Sequence, residues 1–237
     1  MSSNARSIIF ATILTVVCSL LLTTASIGLR SRQQVNAEVD RQKNVLSAFG
    51  IIEEGQAVDA ARVQELYRQN VRRVWVTPVG QIVDDEQRGP QDMPMFTYEK
   101  GDQIQAYVVP IDSRGLWGEI HGYLAIENDG STIRGFTVYQ HQETPGLGGE
   151  IESRWFRNNF VGKQIVNSMG DFVSVRIAKG SVEDRVPQDK RVHYVDGISG
   201  ATLTGQYLSE GLRDTLRAYE PVAIQFRQKN KAKASER

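Results

Sequence analysis

Ile104–Ile111 reads IQAYVVPI, and three runs of the same kind follow it: GYLAIEN (122–128), IRGFTVYQH (133–141) and FVSVRIAKG (172–180). Each is short, rich in β-branched or aromatic residues, and bounded by Gly, Asp or Asn, the pattern of strands rather than helices. In the last, Val173, Val175 and Ile177 alternate with Ser174 and Arg176, which predicts a half-buried strand. Short turns separate the runs, so the sheet is expected to be mostly antiparallel. Upstream, VRRVWVTPVG (71–80) reads as another strand, stopped by Pro78 and Gly80.

Helices flank these runs. Asp59 is placed to cap a short helix whose Val63, Leu66 and Tyr67 share one face. Glu152–Val161 puts Trp155, Phe156 and Phe160 on one helical face, with Gly162 as its stop. Gly205–Tyr219 carries Leu208, Leu212, Leu216 and Tyr219 at helical spacing. Asp84–Pro94, charged and broken by two prolines and a glycine, reads as an exposed loop. The end of the chain, RQKNKAKASER (227–237), is basic and lacks apolar residues apart from alanine, so it is expected to have no packed structure. The fold class predicted is therefore α+β.

Ser7–Leu29 contains no charged residue and is bracketed by Arg6 and Arg30. At about 1.5 Å per residue, a helix of this length crosses a hydrocarbon core of about 30 Å. Its Ser and Thr hydroxyls can bond back to the helix, and the run is long for a cleavable signal peptide. Gln33–Phe49 continues as a charged helix ended by Gly50. Arg30, Arg32, Arg41 and Lys43 follow the span and only Arg6 precedes it, so the charge count alone puts the large domain in the cytoplasm.

Composition excludes several functions. Twenty-eight basic and twenty-eight acidic residues cancel, which gives no electrostatic reason to expect a nucleic-acid partner. Cys18 is the single cysteine and only three histidines occur, which argues against an internal disulfide and a zinc site. Any redox chemistry must then be carried by an organic cofactor.

Three stretches could carry chemistry. In DGISGATLTGQ (196–206), glycines allow close backbone approach and a helix begins, so its free N–H groups and positive dipole end suit a phosphate. A Ser or Thr here also reads simply as a helix cap. HQETPGLGGE (141–150) combines Pro145 with free-backbone glycines and can lie flat against a planar ring with Leu147 as an apolar contact; it equally reads as a tight turn. RGLWGEIHGYLAI (114–126) carries Trp117, a core residue or a stacking surface. Walker A, G-x-G-x-x-G and G-x-S-x-G patterns are missing from the sequence.

Together these stretches, with the N-terminal span and DRQKNVLSAFGI (40–51), resemble the C subunit of the sodium-translocating NADH:quinone reductases. Only the Asp84–Pro94 loop and the basic tail lie outside the resemblance. It implies an FMN-binding domain with one N-terminal transmembrane helix followed by a mostly antiparallel sheet with flanking helices. The implied organisation is a short tail at 1–6, a transmembrane helix at 7–29, a juxtamembrane helix at 30–50, the FMN-binding domain at 51–223 and a basic tail at 224–237. In this family Asp-Gly-x-Ser/Thr-Gly-Ala-Thr is the recognition sequence of a flavin transferase, which joins FMN through its phosphate to the last threonine. Asp196–Thr202 matches without departure, so the implied attachment point is Thr202, flanked by Ser199, Gly200 and Ala201. The resemblance further implies flavin contacts from Glu143, Thr144, Gly146, Leu147 and Gly148, and from Leu116 and Trp117.

The function so implied is electron relay by covalent FMN inside a bacterial inner-membrane complex of six subunits. The complex takes electrons from NADH to quinone and exports sodium, and the family places the flavin domain on the periplasmic face, against the charge count. The chain itself would hold no catalytic acid–base residue and no metal. Alternatives from the same residues are the G subunit of an Rnf-type ferredoxin:NAD+ complex, a membrane-anchored FMN-binding sensor or assembly module, and an anchored domain in which Thr202 is only a cap.

Overall fold

The computed structural model describes residues 3–53, 56–101 and 103–235. Parts of both expected tails, residues 1–2 and 236–237, lie outside the described residues, as do 54, 55 and 102 within the domain. Two compact units are present, Met1–Asp40 and Arg41–Arg237.

The described residues of the first unit are helical. They belong to α1 (Ser3–Ala48), one element that covers both the apolar run and the charged helix continuing from it. Asn4–Arg30 is long and apolar enough to cross a membrane. Its large side chains, Phe10, Leu20 and Leu22 among them, are exposed. The hydroxyls of Thr12, Thr15 and Thr24 donate to the Ile8, Ala11 and Leu20 carbonyls at 2.8–2.9 Å, so these polar groups are satisfied within the helix.

The second unit is built on six strands: β1 (Val71–Val76), β2 (Ile82–Val83), β3 (Met93–Lys100), β4 (Gln103–Arg114), β5 (Glu119–Glu127) and β6 (Ile133–Gln140). All pairings are antiparallel, in the order β2-β1-β3-β4-β5-β6. Both faces are covered. Along β4, Tyr107, Val109 and Ile111 enter one core while Ala106 and Val108 enter the other. The first core also takes Leu208, Leu212 and Leu216 from α5 (Thr202–Ala218), at the predicted spacing. The second takes Val45 and Ala48 from the end of α1 and Phe49 just after it, with Tyr67 of α2 (Ala60–Asn70) packed against it. Period-two alternation thus sorts one strand's side chains between two apolar layers. Each large aliphatic side chain so buried contributes about 1.5–3 kcal/mol.

Asp59 caps α2 as predicted, accepting from the Arg62 amide at 2.7 Å. Asp59→Ala is expected to cost about 1 kcal/mol, the usual worth of such a cap; a thermal melt of the full chain checks it, and an unchanged midpoint would contradict it.

Three expectations need correction. FVSVRIAKG forms only a two-residue strand, β7 (Arg176–Ile177), which pairs in parallel with β8 (Tyr194–Val195). Ser174 is fully buried with φ 65°, which turns the backbone and breaks the alternation. The Glu152–Val161 helix shrinks to α3 (Arg154–Asn158), after a 3-10 turn at Gly148–Glu152. Phe160 stacks on Phe136 and meets Phe156 edge-on, while Trp155 is exposed. The Asp84–Pro94 segment is largely exposed, as expected; it is pinned to β1, where Arg72 pairs with Asp84 at 2.5 Å and Trp75 Nε1 donates to Asp85 at 2.7 Å, and its last residues, Met93 and Pro94, lie in β3.

The expected structureless tail from 224 is instead part of α6 (Glu220–Ser235). Phe226 stacks on Tyr107 with ring centroids 4.7 Å apart, and Arg227 donates to the Gly130 carbonyl at 2.8 Å and pairs with Glu220. One aromatic anchor suffices because the Lys, Gln and Ala that follow are good helix formers.

Candidate functional site

Thr202 is the first residue of α5, and the residue before it, Ala201, makes no side-chain cap. The Thr202 side chain is exposed and has no hydrogen bond among the described residues. The reading of Thr202 as a helix cap therefore fails. The first-turn N–H groups of this 17-residue helix have no intrahelical acceptors, so the end of α5 is electropositive.

Thr204, two residues on, is the opposite case. It is 1% exposed, and its Oγ1 donates to Glu143 Oε2 at 2.5 Å. The other oxygen of Glu143, itself 4% exposed, accepts from the Trp117 amide at 3.0 Å. One carboxyl group therefore ties together the start of α5, the 143–148 loop and the β4–β5 turn. Gly148 is required by this clamp, since a Cβ there would lie 2.5 Å from Glu143 Oε2 and 2.7 Å from Thr204 Oγ1. His141 holds the loop: Nδ1 accepts from the Glu143 amide at 3.1 Å and Nε2 faces Glu152 at 3.2 Å.

The motif ahead of α5 is held from the other side. Asp196 Oδ1 accepts from the Val182 amide at 2.7 Å, at the start of α4 (Val182–Arg185). Gly197 donates to the Gly180 carbonyl at 2.8 Å, and a Cβ on it would lie 2.1 Å from the Ala178 carbonyl oxygen. Any larger residue at 197 must push the two segments apart. Ser199 and Gly200 are exposed and Ala201 is buried. A Cβ on Gly200 would meet Leu147 Cδ2 at 2.8 Å, so the 143–148 loop lies against the motif.

Most of the residues singled out in the sequence are thus joined through these contacts. Glu143, Gly148 and Thr204 form the buried clamp. Leu116, Trp117, Leu147 and Leu203 are exposed apolar side chains on the three segments it joins, between 42% and 66% accessible. Thr144 and Gly146 are exposed, and the Thr144 carbonyl closes the loop by accepting from the Leu147 and Gly149 amides at 3.1 and 2.9 Å.

Sequence reasoning missed a cleft of about 1020 Å³ beside Thr202. Arg176, Lys179, Arg185, Lys190 and Arg213 line it, with Glu210 the one acid. They are spread over β7 and the loop after it, α4, the 3-10 turn at Gln188–His193 and α5, so no local run in the sequence signals the cluster. Pairing Asp214 at 3.5 Å, Arg213 is the only one of the five with an ion pair among the described residues.

Residues 115–217 match the FMN-binding domain family. Over 230 residues the chain is 33% identical to the C subunit of the Na(+)-translocating NADH-quinone reductase of Yersinia pestis, covering 85% of this chain and 84% of that one. It is also 33% identical, over 248 residues and 91% of each chain, to the protein of that name from Vibrio anguillarum. The crystal structure of the C subunit from Parabacteroides distasonis superposes with a TM-score of 0.70 at 29% identity, covering 82% of this chain and 96% of that one.

Proposed function

The chain belongs to the family formed by the C subunit of the Na(+)-translocating NADH-quinone reductase, and on that basis we propose that it holds FMN covalently, through the phosphate, on the hydroxyl of Thr202. In this reading it relays electrons between NADH and quinone within a membrane complex of six subunits that exports sodium. Residues 7–29 anchor it, residues 51–223 form the flavin domain on the periplasmic side, and a flavin transferase installs the cofactor. That the relatives carry the quinone-reductase name favours this complex over an Rnf-type G subunit.

One observation carries the choice of residue. Of the two hydroxyls in ATLT, Thr202 is exposed and unbonded at the rim of a basic cleft, whereas Thr204 is buried and bonded to Glu143. The site fits FMN on further grounds. A phosphodiester keeps one negative charge, which the free amides of α5 and the flanking cations stabilise. Leu116, Trp117, Leu147 and Leu203 offer exposed apolar surface of the kind a planar ring covers. Ser199 and Gly200 leave the attachment point accessible. Glu143 acts as a positioning residue, since both of its oxygens are engaged in holding the three segments. Bound FMN supplies the electron transfer; the chain's residues bind it, orient it and shield it.

Expressing the full chain with an active flavin transferase, denaturing it in SDS and viewing the gel under ultraviolet light tests the reading. A fluorescent band near 26.5 kDa is expected. A dark band, with the transferase active on a control substrate, would overturn covalent attachment.

A further inference from the structure

The cleft beside Thr202 holds more charge than a phosphodiester needs. Five cations face one acid there, on a chain whose basic and acidic residues are equal in number. Glu183, Asp184 and Asp189 are near in sequence but do not line it, and Asp196 is engaged at the start of α4. Arg176, Lys179, Arg185 and Lys190 make no side-chain ion pair or hydrogen bond among the described residues. The charge also extends too far: Arg213 lies three helical turns beyond Thr202 on α5, about 16 Å along the axis at about 1.5 Å per residue. A single phosphate fixed at Thr202 cannot reach it. The cleft is not purely polar either, since Ile177, Ile198 and Ala201 contribute apolar lining. Its volume suits a small molecule rather than one inorganic ion.

We propose that this cleft binds a nucleoside diphosphate-like ligand, a planar base on the apolar lining and a phosphoanhydride among the cations, beside the group that Thr202 carries. Concave walls focus the field of the five cations, which favours a ligand of two or more negative charges. The proposal rests on the Thr202 reading for the single charge assigned to the attached group; the binding itself requires no covalent step.

Calorimetric titration of ADP into the full-length Thr202→Ala chain in detergent tests it, with flavin-loaded wild type alongside. ADP should bind both, AMP more weakly, and adenosine undetectably. Combining Lys179→Ala with Lys190→Ala should weaken ADP by about tenfold or more, two charge-assisted contacts being lost. Both side chains are exposed, so the fold should be kept, which the thermal midpoint checks. Arg213→Glu should weaken ADP as well, from a different element. Three results would each overturn the proposal: no ADP binding to either protein, affinity unchanged in all the variants, or ADP binding lost on flavin loading, which makes the cleft the flavin's own seat. The gel assay is independent. A dark wild-type band with ADP binding intact rejects the Thr202 reading and leaves the cleft; a fluorescent band without ADP binding does the reverse.

Discussion

Thr202→Ala is expected to give a folded chain from which no flavin survives denaturation, while Thr204→Ala keeps its flavin. The first half follows from chemistry: alanine has no oxygen to bond to phosphorus, so the loss is complete rather than partial. Folding should be nearly untouched, because Thr202 is exposed and makes no hydrogen bond among the described residues; such changes usually stay within about 0.5 kcal/mol. Thr204 cannot substitute for it, being 1% exposed with its hydroxyl held by Glu143 at 2.5 Å. Thr202→Ser should restore the label, since serine keeps the nucleophile. In-gel fluorescence of the three variants beside wild type decides the matter. A bright Thr202→Ala band, or a dark Thr204→Ala band, would place the attachment elsewhere.

Glu143→Ala should produce the larger change in stability, lowering it by about 2–6 kcal/mol. Two donors, the Thr204 hydroxyl and the Trp117 amide, lose their acceptor in a buried setting, at about 1–3 kcal/mol each. Glu143→Gln should cost less, because one carbonyl oxygen remains to accept and the hydroxyl can rotate to meet the amide. The same variants carry a second expectation. With the clamp open, the three segments no longer share one anchor, so flavin on Glu143→Ala should show altered fluorescence yield while remaining covalently attached. Thermal melts and fluorescence of the folded protein in solution measure the two effects separately, and the denaturing gel checks that the flavin stays attached. An alanine variant that melts within a degree of wild type would refute the clamp.

Much of this molecule was legible in its sequence. The central strands announced themselves through β-branched runs between turn residues, and α5 through four apolar residues at helical spacing. Failures occurred where a local pattern was overruled by contacts distant in the chain. Val173–Ile177 alternates like a strand, yet Ser174 turns the backbone because the Val173 and Ser174 amides both bond to the Ile165 carbonyl. The terminal segment looked structureless because its one aromatic anchor, Phe226, has its partner at Tyr107. At the site, the Asp196–Thr202 stretch and the Pro-Gly loop could be seen as stretches, and the resemblance supplied the roles proposed for them. Their junction at Glu143 could not be seen, nor could a cleft whose cations come from four separate segments.

The way the last helices are fastened has a consequence for the order of events during synthesis. Ser113 on β4 donates to the Tyr207 carbonyl across 94 residues, and Tyr219 OH donates to the Pro94 carbonyl across 125. Bonds of that span form late, because the chain between them must first be made and then closed. On a nascent chain the central strands are complete before α5 exists. Thr202 reaches its place only when the C-terminal helices dock and seal the apolar face of the sheet. Under the proposed attachment, the Thr202 hydroxyl would be presented, beside a sequestered Thr204, as one of the final acts of folding, so that loading with flavin would also report a finished domain.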